Sequence, residues 1–126
     1  MILAQKILIT LVALLHFYFL VLEMFLWTRP TGLRVFRMTF EKATDTAVLA
    51  ANQGLYNGFL AAGLLWSIAY PDPIVSKHIA LFFLSCVLVA AGYGGYSIGS
   101  KILFIQGLPA LVALGALLVG AKFLQF

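Results

Sequence analysis

Four long runs dominated by apolar residues, at about 7–27, 47–70, 77–96 and 102–123, occupy most of the 126-residue chain. At about 1.5 Å per residue, a helix of roughly 20 residues crosses a hydrocarbon core about 30 Å thick. Inside lipid, a helix satisfies its own backbone hydrogen bonds, which an irregular segment cannot do. The sequence therefore predicts an all-α protein, a four-helix transmembrane bundle. Composition agrees: 63% of residues are apolar and 10% are charged, against about 45–50% and about 25% in soluble domains. So few charges cannot cover a water-facing surface. The length allows one domain, residues 1–126, and the short connections between runs predict up-down antiparallel topology.

The run borders carry recognisable signals. Lys6 precedes the first run, but the run is too long for a signal-peptide core and no small-x-small cleavage site follows. Trp27-Thr28-Arg29-Pro30 reads as an interfacial end: an aromatic anchor, a positive charge and a helix breaker. Residues 28–46 mix Arg29, Arg34, Arg37 and Lys42 with Leu33, Phe36 and Met38. That mixture suits either a short surface-lying helix or a plain connection. Thr44 or Asp45 could cap the second helix, and Pro71-Asp72-Pro73 ends it. Tyr93 and Tyr96 suit an interfacial belt, and Pro109 is expected to kink the fourth helix.

The net charge of +4 forms no basic stripe with interleaved aromatics, so no nucleic-acid partner is expected. The basic residues serve instead to orient the chain. Arg29, Arg34, Arg37, Lys42 and Lys101 fall on one side, and Lys6, Lys77 and Lys122 on the other. The richer side belongs in the cytoplasm, which places both termini outside. A lone Cys86 in an apolar run supports neither a disulfide nor a metal site.

Intramembrane polarity is expensive and needs a reason. It concentrates at His16 and Glu23 on the first helix, and at Asn52, Gln53, Tyr56 and Asn57 on the second. His16 and Glu23 are seven residues apart and so differ by only about 20° around the helix, with Trp27 near the same stripe. On the second helix the four polar residues share one arc, and Ala50, Ala51, Gly54, Gly58 and Ala61 the next. Gly54-x-x-x-Gly58 permits close helix approach. Counting inward from Trp27 and Ala47 sets Glu23 opposite Asn52 and Gln53, and His16 opposite Asn57. The candidate ligand-binding set is His16, Glu23, Trp27, Asn52, Gln53, Tyr56 and Asn57, with Gln106 a possible addition from the fourth helix. No metal or cofactor is expected, because one His and one Glu supply at most two ligands. The competing reading is structural, with these side chains bonding only to one another across helices.

His16, Glu23-Met24-Phe25-Leu26-Trp27 and Ala50-Ala51-Asn52-Gln53-Gly54-Leu55-Tyr56-Asn57-Gly58-Phe59-Leu60-Ala61 together resemble the small multi-pass family known as domain of unknown function 1304. The resemblance covers essentially the whole chain. It implies a four-helix protein of the bacterial plasma (inner) membrane and carries no activity with it. The leading expectation is a small-ligand or ion-binding protein, a transporter or channel subunit, acting as a homo-oligomer among membrane lipids. In it Glu23 is the ionisable group and His16 its proton or ligand partner. A membrane enzyme acting on a lipophilic substrate is the less favoured reading. Size and four-helix plan are similar to those of the trimeric membrane-associated glutathione-handling enzymes, at the level of fold alone. The dense intramembrane arginines that would bind an anionic cofactor are missing from the sequence. A structural or accessory subunit is the third class.

Overall fold

The computed structural model describes residues 1–123, with side chains through residue 120. The described residues are almost entirely helical and contain no strand. The elements are α1 (Leu3–Met24), α2 (Pro30–Phe36), α3 (Phe40–Ala69), α4 (Pro73–Ser97), the single turn α5 (Ser100–Ile102), a π-helical turn (Leu103–Gly107) and α6 (Leu108–Phe123). All four apolar runs are helical over most of their length, but the first ends at Met24 and its last three residues, 25–27, form a turn.

Several helices begin earlier than their apolar runs, because polar residues at or just before their starts close free amides there. At α1 the Gln5 Oε1 accepts from the Ile2 amide at 3.1 Å. At α3 the Thr39 Oγ1 accepts from the Lys42 amide at 3.2 Å, so Thr39 takes the capping role expected of Thr44 or Asp45. At α4 the Asp72 carboxylate accepts from the Ile74 and Val75 amides, both at 2.9 Å. Pro73 follows at the first helical position, where its missing N–H costs nothing.

Three helices among the described residues, Leu3–Met24, Pro73–Ser97 and Ser100–Gly120, are long and apolar enough to cross a membrane. This is the pattern of a multi-pass membrane protein. The second apolar run is different. α3 is 30 residues long, but Asn52, Gln53 and Asn57 pull its hydropathy below that of the other three.

The chain packs as two compact units: Met1–Ala13 with the chain from Ala62 onward, and Leu14–Ala61. In the first unit, α4 turns Ser76, Ala80, Leu84, Val87 and Ala91 inward at spacings of three and four residues. That is the stripe a helix needs to bury one face. Gly107 of the π-turn lies against α4, where an added Cβ would stand 3.3 Å from the Ala91 Cβ. Pro109 has no amide to give Ile105, and the wider π-turn just before it absorbs that missing bond. The turn into α5 passes through Gly99 at φ 156° and ψ 159°, a conformation confined almost wholly to glycine. Polar side chains tie the unit together: Gln5 Nε2 donates to the Ala116 carbonyl at 2.9 Å and Ser76 Oγ to the Ser67 carbonyl at 2.7 Å.

Candidate functional site

The second unit holds the candidate residues. Its frame is the distal part of α1, the short α2 and the first two thirds of α3. Within this unit the buried residues of α3 are Ala43, Ala50, Gly54, Asn57 and Ala61, a stripe spaced in steps of seven, four, three and four residues. Small side chains along it let α1 come close. A Cβ on Gly54 would stand 2.7 Å from Met24 Cγ, 3.0 Å from Glu23 Cβ and 3.2 Å from the Leu20 carbonyl oxygen. One on Gly58 would stand 2.5 Å from Leu20 Cδ1.

This close approach brings Glu23 to Asn57. Asn57 Nδ2 donates to Glu23 Oε1 at 3.2 Å, and both residues are buried, with Glu23 9% exposed. The other carboxylate oxygen, Oε2, is buried and has no hydrogen-bond partner among the described residues. A carboxylate in a tight apolar seam with one oxygen anchored and one unsatisfied is an acceptor waiting for a donor or a cation. It can take a proton, coordinate a small cation or accept a hydrogen bond from a ligand. No group of three or more His, Cys, Asp or Glu side chains able to hold a metal ion occurs among the described residues.

His16 lies two turns away on the same face of α1. It is 1% exposed, with its ring edge-on to Phe19 at 5.8 Å. Trp27 sits past the end of α1, half-buried, and its Nε1 donates to Thr46 Oγ1 at 3.1 Å. Its ring packs on Phe36 of α2 at 4.7 Å. Residues 28–46 thus contain a short helix docked on the Trp27 turn. α2 ends where Arg37 takes a left-handed conformation (φ 51°) and Met38 donates back to the Leu33 carbonyl. We expect Trp27→Phe, which keeps the ring contact and removes the donor, to cost about 1 kcal/mol of thermal stability. Thr46→Val should show a similar loss, and the double variant little more than either.

The remaining three candidates do not join this group. Asn52, Gln53 and Tyr56 are exposed, on a face of α3 turned away from the buried stripe. Gln106 belongs to the π-turn of the other unit. The expected levels also shift: Glu23 meets Asn57 and Gly54 rather than Asn52 and Gln53. Counting inward from residues 27 and 47 assumed that both helices end there. α1 stops at Met24, whereas α3 begins at Phe40 and runs about four turns before it reaches Gly54 and Asn57. The two ends are therefore not level, and α3 overruns α1. Thr46 went unnoticed in the sequence because its partner, Trp27, leaves the helix before reaching it.

Taken by itself, this describes a small all-α protein with candidate transmembrane helices and a buried carboxylate–carboxamide pair. The chain belongs to the family described as Protein of unknown function (DUF1304), which matches residues 10–118. It is 36% identical over 106 residues to a protein of Lactococcus lactis subsp. lactis (strain IL1403) described as "Uncharacterized protein YpaA", covering 82% of this chain and 87% of that one. No solved structure matches it.

Proposed function

We propose that the protein is a four-span plasma-membrane protein that binds or passes a small ion or ligand at Glu23. The observation that carries this reading is the unsatisfied, buried Oε2 of Glu23 beside an Oε1 already held by Asn57. Structural polar pairs in membranes are expected to satisfy each other, because an orphaned acceptor in hydrocarbon is costly. Here the pair leaves one acceptor over, in line with the general rule that an intramembrane carboxylate marks a functional site.

α3 is the fourth span in this reading. Residues 47–69 contain no charged side chain, and 23 residues reach about 35 Å, more than the hydrocarbon needs. Its low hydropathy comes from Asn52, Gln53 and Asn57, of which Asn57 belongs to the site. The cytoplasmic side is the one bearing Arg29, Arg34, Arg37, Lys42 and Lys101, which sets both termini outside.

The test is flux in proteoliposomes. Purified protein is reconstituted, and uptake of protons and of monovalent cations is followed with entrapped indicator dyes. We expect flux above protein-free vesicles, reduced at least about tenfold in Glu23→Gln, which keeps the shape and the Asn57 bond but cannot carry charge. Equal flux in the wild type and Glu23→Gln overturns the proposal.

A further inference from the structure

We infer that the exposed polar face of α3 is a self-association surface, covered in the membrane by α3 of a second copy of this chain. Val48, Leu49, Asn52, Gln53, Tyr56 and Phe59 are all exposed and occupy one side of the helix. That side is centred about 130° from the buried stripe running through Gly54 and Asn57. The two faces are separate, so α1 packing leaves this one open.

The inference rests on α3 being a span. Two carboxamides and a phenol hydroxyl then face a medium with no hydrogen-bond partners, which is costly. Of the long helices, α3 is the one whose hydropathy falls short for lipid, and these residues are much of the reason. A second copy is the occupant that the chemistry fits. A carboxamide is both donor and acceptor, so Asn52 and Gln53 complement themselves across a two-fold axis. Two copies inserted in the same orientation run their α3 helices parallel, which sets Leu49, Asn52 and Tyr56 against their own counterparts. Spacings of three and four residues are those of a coiled-coil seam, in which one polar Asn layer selects register and partner number. No residue of 47–69 is charged, so nothing on the stretch repels its copy. Val48, Leu49 and Phe59 supply apolar contact above and below the polar layer.

The experiment uses the full chain with Cys86→Ser and one new cysteine, oxidised in native membranes and read on non-reducing gels. Leu49→Cys, on the face, is expected to give mainly a disulfide-linked dimer. Val89→Cys, which is just as exposed on α4, is expected to stay monomeric. Adding Asn52→Leu and Gln53→Leu to Leu49→Cys should lower the linked fraction about tenfold. Linking no greater at 49 than at 89, or unaffected by the two leucines, overturns the interface. The span is read separately from Leu55→Cys, which lies at mid-helix on the edge of the face, beside Val48. Protection of that thiol from a membrane-impermeant maleimide supports the span, and with it unlinked Leu49→Cys defeats the interface alone. Rapid labelling defeats the span itself and the interface built on it.

Discussion

Asn57→Leu is expected to lower the stability of the protein by about 2–4 kcal/mol, a loss to be read by circular dichroism in thermal unfolding of the detergent-solubilised chain. Asn57 Nδ2 is the donor to Glu23 Oε1, and Oε2 has no partner among the described residues. Removing the amide strands the whole carboxyl group in a seam closed by Gly54 and Leu20. The loss is the desolvation cost of that group, which exceeds the modest net value of the bond itself. The control is the double variant Glu23→Leu with Asn57→Leu. Replacing both partners by apolar groups removes the orphan and should recover most of the stability. A single variant within about 0.5 kcal/mol of the wild type would show that the pair is not buried as described, since surface substitutions have effects of that size.

Gly54→Leu is expected to have an effect of similar size, chiefly through packing. The first atom of the new side chain meets Met24 Cγ, Glu23 Cβ and the Leu20 carbonyl oxygen at 2.7–3.2 Å. Met24 is flexible and can retreat, but the backbone oxygen of Leu20 cannot move without displacing α1. Overpacking of this kind costs about 1–3 kcal/mol, and forcing the helices apart also stretches the Glu23–Asn57 bond. Gly92→Ala is the contrasting case. Nothing lies within 4 Å of its added Cβ, and it is inside α4. Alanine there should raise stability by about 0.5–1 kcal/mol through helix propensity. If Gly54→Leu and Gly92→Ala shift the melting temperature alike, then α3 does not approach α1 as closely as these contacts require.

Both substitutions act on a feature that the sequence showed only in part. The apolar runs are helical because a helix closes its own backbone hydrogen bonds where water cannot, and the π-turn before Pro109 accommodates the one proline inside them. His16 and Glu23 were placed on one face of α1 by helical periodicity, and both are buried. Gly54 and Gly58 were legible as a packing face from their spacing and size. What periodicity could not supply was the register between α1 and α3. Register here depends on where α1 stops and α3 starts, and those limits are set by the turn after Met24 and by Thr39 rather than by hydropathy.

The polar arc of α3 shows the same division. Asn52, Gln53, Tyr56 and Asn57 lie on one arc by angle, and the sequence gives no reason to separate them. The tertiary structure separates them, because α1 needs the narrow edge made by Gly54 and Gly58. Asn57 falls just inside that edge and meets Glu23, while the other three remain outside it. The sequence by itself determined the solvent, through the scarcity of charge and the length of the apolar runs. It also determined which side chains would be costly to bury. Only the tertiary structure decided that Glu23 would be held by one oxygen and left open at the other. That outcome depends on the distance between two helices, which is set by contacts far apart in the chain.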